Sequence, residues 1–99
     1  PGVVVLRSFG KFFGLAGLRL GFALGAAEMI SRTSNLLGPW AVPGPALAIG
    51  QIALRDEAWI GQTRLQLTQM RQQLEVVLQR SGLALVGATD LFLNASHCD

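Results

Sequence analysis

The chain's one lysine, Lys11, sits among aromatic and glycine residues in the run Arg7-Ser8-Phe9-Gly10-Lys11-Phe12-Phe13-Gly14-Leu15-Ala16-Gly17-Leu18-Arg19-Leu20-Gly21-Phe22. Every other basic side chain is an arginine. An amine can do what a guanidinium cannot: lose its proton near neutral pH and attack a carbonyl carbon to form a Schiff base. Burial and nearby cations both lower an amine's pKa, and Arg7 and Arg19 are candidate neighbours for the second effect. Ser8 and Arg19 add a hydroxyl and a fork-shaped cation, a pair suited to a phosphate dianion, while the intervening glycines let backbone come close. The chemistry this predicts is capture of a carbonyl compound that carries a phosphate. Taken alone, a lysine in a glycine-rich loop is a solvated loop residue; the combination with Ser8, Arg19 and the preceding apolar run reverses that reading. Arg7 stays open between approaching a substrate phosphate and ending a strand.

The elements that must position these groups are legible as alternating patterns. Val3-Val4-Val5-Leu6 is an unbroken apolar run, the signature of a strand covered on both faces in a parallel sheet, and function is placed where such strands end. Leu18, Leu20, Phe22 and Leu24 alternate with Arg19, Gly21 and Ala23, which predicts a second strand with the large residues on one face and Arg19 on the other. Ala26 to Leu37 reads as a helix with Met29, Ile30, Thr33, Leu36 and Leu37 on one side, closed by Gly38 and Pro39. After the turn-rich connector from Pro39 to Gly44, in which Trp40 reads as packed beneath a loop or as a substrate contact, Pro45 starts a helix that is apolar around most of its girth to Arg55. Asp56 caps a long amphipathic helix running to about Arg80, with Ile60, Leu67, Leu74, Val77 and Leu78 on its apolar stripe and Gly82 as terminator. Such a helix, roughly 36 Å long, could bridge two domains. Leu83 to Val86 and Leu91 to Asn94 read as short strands about a Gly87-to-Asp90 turn, and His97-Cys98-Asp99 as a frayed end.

Composition narrows the class of protein. Hydrophobic residues make up 51% of the 99 positions, with 12 glycines besides, and charged residues only 14%; soluble domains average about 25% charged. Disorder is excluded, and the shortage of charge, with Pro1 in place of an initiator methionine, predicts a portion of a larger body. The formal net charge of +2 is scattered, so no basic stripe offers itself to nucleic acid. Cys98 and His97 stand alone of their kind, too few for a disulfide or a zinc-ligand set, and a reducing cytoplasmic setting follows with no metal site expected. Asn94-Ala95-Ser96 is read as a chance match to the glycosylation pattern. Phe12 to Ala27, studded with glycine, imitates a membrane-helix packing face, and a hydrophobic interaction or membrane-associated segment is the competing, non-enzymatic reading. It is disfavoured because a span needs about 20 apolar residues and Arg19 would sit near its centre.

The Ser8, Lys11, Arg19 spacing resembles the cofactor-lysine motif of fold type I pyridoxal-phosphate enzymes, the class I and II aminotransferase superfamily. The resemblance implies an α/β fold, with pyridoxal 5′-phosphate as cofactor. It also implies that Lys11 holds the cofactor covalently and acts as the catalytic base, while Ser8 and Arg19 hold the cofactor phosphate. Within the superfamily the wording of Arg7 to Phe22, followed by Leu37-Gly38-Pro39-Trp40-Ala41-Val42 and Gly44-Pro45-Ala46-Leu47-Ala48-Ile49, is similar to threonine-phosphate decarboxylases of cobalamin biosynthesis, with histidinol-phosphate aminotransferases as relatives. That likeness implies decarboxylation of L-threonine O-3-phosphate to aminopropanol phosphate, or the aminotransferase reaction as the alternative. It implies a small phosphorylated amino-acid substrate that Arg7 could contact, and a cytoplasmic homodimer without nucleic-acid or membrane partners. By the same likeness, residues 1–40 form the last part of the cofactor domain, 41–81 connecting helices and 82–99 the start of a small domain. Other site groups then lie outside these residues, so the 99-residue chain is expected to be inactive alone. Two departures stand out: Gly10 occupies the place of a second hydroxyl residue, and Phe13 stands where tyrosine is common.

Overall fold

The computed structural model describes residues 2–97. In chain order it contains β1 (Val5–Ser8), a one-turn 3-10 helix (Ala16–Leu18), β2 (Gly21–Leu24), α1 (Ala27–Leu37), α2 (Gly44–Arg55), α3 (Glu57–Arg80), β3 (Leu83–Thr89) and β4 (Phe92–His97). The chain parts into two compact units, residues 1–55 and 56–99, the division falling inside the stretch 41–81 that the sequence reading assigns to connecting helices.

In the first unit β1 and β2 pair antiparallel, in register Val5 to Leu24 and Ser8 to Gly21. This corrects the expectation of a parallel-sheet strand covered on both faces. Val3 is 75% and Leu6 77% exposed, because β2 is the only ladder partner of β1 among the described residues. The ladder also shifts the strand two residues beyond its apolar run, to take in Arg7 and Ser8. The second predicted strand is shortened for a local reason. The Leu18 N–H donates to the Leu15 carbonyl (3.1 Å) and the Arg19 N–H to the Ala16 carbonyl (3.4 Å), so residues 16–19 curl and extended structure begins only at Gly21.

A small core lies beneath that curl. Phe9, Leu20 and Ala46 are buried, with Phe13, Leu15, Leu18 and Ala53 packed against them. Leu18 and Leu20 belong to this cluster and precede the strand, so within β2 the predicted large-residue face is kept by Phe22 and Leu24 alone, both of them exposed. Helix α2 contributes Ala46 and Gly50. A Cβ at Gly50 would fall 2.5 Å from Leu20 Cδ2 and 3.4 Å from Phe9 Cζ, so only a glycine lets α2 come this near. The Pro43 carbonyl accepts from the Ala46 and Leu47 N–H groups, which leaves Pro45 in the first turn, where no N–H is required. Helix α1 stops at Gly38, whose φ of +74° no ordinary side chain favours. The apolar stripe predicted for α1 is mostly exposed, including Leu36 and Leu37, and α2, whose all-round apolar surface argues for a buried helix, buries only Ala46 and Gly50 and exposes Leu47 and Ile52; apolar spacing specifies a face but not an element to cover it.

The second unit is α3 with the β3–β4 hairpin. Asp56 Oδ1 accepts from the Trp59 N–H at 3.0 Å, capping α3 as its sequence position predicts. Gly82, at φ +77°, follows its last turn. On the predicted stripe Ile60, Leu67 and Leu78 are half-buried, whereas Leu74 and Val77 are exposed. The strands run longer than expected, and the turn between them is tighter. Thr89 Oγ1 accepts from the N–H groups of Leu91 and Phe92, so Gly87 belongs to β3 instead of to the turn. It follows Val86, the extra residue of a bulge between the Leu85–Ala95 and Gly87–Asn94 pairs. His97, expected in a frayed end, pairs with Leu83; Cys98 and Asp99 lie outside the described residues. Arg71 joins helix to hairpin, its Nε donating to Asp90 Oδ1 at 3.1 Å and its Nη1 to Glu75 Oε1. These hydrogen bonds, that to Asp90 foremost, hold its pKa above the ordinary arginine value.

The glycines give opposed expectations. Gly50→Val should lower stability by about 1–3 kcal/mol through overpacking. Gly61→Ala, in α3 with no atom within 4 Å of the new Cβ, should raise it by up to about 1 kcal/mol. Thermal denaturation of the two variants checks both signs, and a Gly50→Val protein melting with the wild type would refute the close approach of α2.

Candidate functional site

The site is the end of the β1–β2 ribbon where β1 finishes and β2 starts. Ser8 is the last residue of β1, and Lys11 and Arg19 both lie on the twelve-residue connection from Phe9 to Leu20. That connection is closed on itself by Phe9. Its N–H donates to the Leu20 carbonyl (3.2 Å) and its carbonyl accepts from the Leu15 N–H (2.9 Å), so one residue ties both ends of the loop. Its ring is stacked on Phe13 with centroids 4.9 Å apart, and Phe13 sits edge-on to Phe12 at 5.1 Å. Between these aromatics Lys11 opens a tight turn, its carbonyl accepting from the Gly14 N–H at 3.1 Å, with Gly14 at φ +66°. Lys11 itself is exposed. The aromatic packing therefore fixes the backbone on both sides of an accessible amine.

Arg19 is the one non-glycine residue with positive φ (+52°) among those described. The left-handed conformation is costly for a side chain with a Cβ, and such residues gather at functional sites. Here it follows the 3-10 turn and is held by a single acceptor: the Ala16 carbonyl takes both the Arg19 N–H (3.4 Å) and Nη1 (3.5 Å). The sequence reading found Arg19 by its distance from Lys11 but placed it in a strand, since alternation of large and small residues carries no signature of this kink. Gly17, in open space two residues before it, was the available hint.

Ser8 and Arg7 are consecutive in β1, so their side chains leave opposite faces of the ribbon. Ser8 shares its face with Leu6, Gly21 and Ala23; Arg7 shares the other with Val5, Phe22 and Leu24. An apolar hollow of about 240 Å³ is lined by Arg7, Ser8, Phe9, Phe13, Phe22, Leu24 and Leu54. Lys11 and Arg19 are not among its lining residues. The structure thus groups Ser8, Lys11 and Arg19 at one end of the ribbon, with Arg7 leaving β1 on the opposite face although it and Ser8 both reach the hollow.

Two glycines flank the Ser8 hydroxyl and differ in the space they leave. A Cβ at Gly10 would lie 3.4 Å from Ala16 Cα and 3.8 Å from Ser8 Oγ, ordinary contacts, whereas one at Gly21 would lie 2.9 Å from the Arg7 carbonyl oxygen. A hydroxyl residue at position 10 would therefore fit beside Ser8. A hydroxyl, a guanidinium and side-chain-free backbone form a donor set for a phosphate, with a primary amine at hand for an aldehyde. That donor set fits pyridoxal 5′-phosphate.

The sequence model of the family described as Aminotransferase class I and II matches residues 1–99. The chain belongs to the class I and II aminotransferase family. Its mixed α/β architecture accords with that membership. Among curated relatives, it is 50% identical over 92 residues to a threonine-phosphate decarboxylase of Pseudomonas aeruginosa, covering 93% of this chain and 28% of that protein. Another threonine-phosphate decarboxylase, from Sinorhizobium sp, is 41% identical over 96% of this chain and 28% of its own length. A histidinol-phosphate aminotransferase of Symbiobacterium thermophilum is 35% identical over 87% of this chain and 24% of its own. The chain spans about a quarter of the length of these relatives. No helix among the described residues is long and apolar enough to cross a membrane; Phe12 to Ala27 is instead a turn, a 3-10 helix and a strand.

The strained backbone at Arg19 is testable without any ligand. Arg19→Gly should be as stable as the wild type or slightly more so, and Arg19→Val at least about 1–2 kcal/mol less stable than Arg19→Gly, since left-handed backbone penalises a branched Cβ most. Melting temperatures of the two variants decide it, and equal values would exclude the kink.

Proposed function

We propose that the protein carrying these residues decarboxylates L-threonine O-3-phosphate to aminopropanol phosphate, with pyridoxal 5′-phosphate as cofactor. The observation that supports this substrate is the 50% identity to a threonine-phosphate decarboxylase, against 35% to a histidinol-phosphate aminotransferase, across nearly the same residues. Residues 1–40 are then the end of the cofactor-binding domain, 41–81 the connecting helices and 82–99 the start of the small domain, in a cytoplasmic homodimer. The 99 residues by themselves are inactive, because the groups that orient the cofactor ring and grip the substrate carboxylate lie elsewhere in the protein.

Each of the chain's own residues has a distinct task. Ser8 would donate a hydrogen bond to the cofactor phosphate and the Arg19 guanidinium would pair with it, a charge-assisted grip that would hold the cofactor at one end. Lys11 Nζ is the point of covalent attachment to the aldehyde carbon. Bound to Lys11, the cofactor would supply the electron sink for the bond broken when carbon dioxide is lost. Lys11 Nζ, once free of the cofactor, would be placed to deliver a proton to the substrate carbon that loses its carboxylate. The Phe9–Phe13 stack keeps the lysine turn from wandering during that exchange. Arg7, which leaves the ribbon on the face opposite Ser8, is the candidate contact for the substrate phosphate.

An aminotransferase acting on histidinol phosphate would use the same three residues, with Lys11 removing a proton instead of delivering one, so product analysis separates the two. The intact protein given threonine phosphate should release carbon dioxide and aminopropanol phosphate, and given histidinol phosphate with a keto acid should form no new amino acid. Its cofactor absorption near the visible edge should shift on borohydride treatment and be lost in Lys11→Ala, with turnover reduced at least about a hundredfold. Retention of that band in Lys11→Ala would refute the lysine assignment, and transamination without decarboxylation would refute the substrate.

A further inference from the structure

Ser8 faces Gly21 across the ladder, and Gly21 is the residue of this ribbon that tolerates a side chain least. Its φ lies outside the left-handed region, so backbone conformation does not demand glycine there. Crowding does: a Cβ would come within 2.9 Å of the Arg7 carbonyl oxygen and 3.8 Å of Ser8 Cα. That carbonyl carbon is bonded to the nitrogen of Ser8, so relieving the clash moves Ser8. The neighbouring pair cannot absorb the shift, because Phe9 and Leu20 are 2% and 6% exposed and joined by the 3.2 Å bond from the Phe9 N–H to the Leu20 carbonyl. The displacement therefore falls on Ser8, while Arg19, next to the fixed Leu20, keeps its place, so the spacing between the two groups changes.

We propose that Gly21 is a positioning residue for the phosphate grip: by carrying no side chain it lets β2 close on β1 at the pair that sets the spacing between the Ser8 hydroxyl and the Arg19 guanidinium. The inference rests on the reading of Ser8 and Arg19 as the groups that hold the phosphate of pyridoxal 5′-phosphate, and adds the residue that determines their separation. A glycine inside a strand weakens the strand and marks a place where something else must approach. Gly25 supplies an internal comparison. Its Cβ would meet the Val3 carbonyl oxygen at 3.2 Å and Val4 Cγ2 at 3.3 Å, yet it lies just beyond the ladder, four residues from Gly21 and beside Val3, which is 75% exposed.

The test uses the apo form of the intact protein and two ligands that share an aldehyde but differ in the phosphate, pyridoxal 5′-phosphate and pyridoxal. Gly21→Ala should weaken binding of the phosphorylated ligand by about tenfold or more, the loss expected when hydrogen bonds to a charged group are misaligned. Pyridoxal affinity should stay within about twofold. Gly25→Ala should leave the ratio of the two affinities as in the wild type. Equal losses for both ligands in Gly21→Ala, or the same change of ratio in Gly25→Ala, would overturn the positioning role. Should Gly21→Ala fail to accumulate as folded protein, hydrogen exchange of the wild-type apoprotein decides: inorganic phosphate should slow the Ser8 and Gly21 amides, and unchanged rates at both would overturn the proposal. A wild-type protein that binds pyridoxal 5′-phosphate no better than pyridoxal would sink the phosphate grip itself, whereas a strong preference kept in Gly21→Ala sinks only the role of Gly21.

Discussion

Burial of Phe9 is the interaction on which the lysine-bearing unit depends. It is the one large side chain in the described residues that is almost wholly removed from water, worth about 1.5–3 kcal/mol by apolar transfer alone. Its backbone does as much as its ring, because the N–H and carbonyl groups of the same residue close the two ends of a twelve-residue loop. With so few buried neighbours, there is little redundancy. Gly50 of α2 and Leu20 at the entrance to β2 complete the contact, so a change of a single methyl group at any of them is felt in the loop that presents Lys11 and Arg19.

That dependence explains how a solvent-facing loop can act as a site. Catalytic groups must be held to within about 0.5 Å of productive geometry by residues that are themselves locked. Lys11 is accessible, but Phe9 lies two residues before it and Phe13 two residues after, and these rings stack on one another. Arg19 is accessible too, and it is set by a 3-10 turn and a left-handed backbone. The reactive groups are exposed while the backbone beneath them is constrained, an arrangement a ligand needs if it is to enter without disturbing its own binding site.

Helix ends and turn residues were the most legible features, since each is decided by a residue's own chemistry. Asp56 caps α3 with its carboxylate, Gly38 and Gly82 take up positive φ after helices, and Pro45 occupies a first turn. The strands were read less well. β1 begins and ends two residues later than its apolar run, β2 loses its first three predicted residues to a turn, and Gly87 enters β3 behind a bulge. Strand limits are set by a ladder partner far away in the chain, and side-chain periodicity does not say where that pairing starts. The candidate site was legible in the same sense. Ser8, Lys11 and Arg19 carry their chemistry in residue type and spacing, whereas the orientation of Arg7 and the role of Gly21 depend on strand register.

What the sequence by itself determined is the set of reactive groups and the punctuation of the helices: an amine, a hydroxyl and a guanidinium at fixed separations, caps and terminators at their places. These are properties of single residues and their near neighbours, and they hold whatever the rest of the chain does. What only the tertiary structure decided is which faces those groups share. Antiparallel pairing set Ser8 opposite Gly21 and Arg7 opposite Phe22, and burial of Phe9 and Leu20 bent the chain at Arg19. Both follow from contacts between residues eleven or more positions apart, where van der Waals exclusion and burial, not local preference, select the conformation.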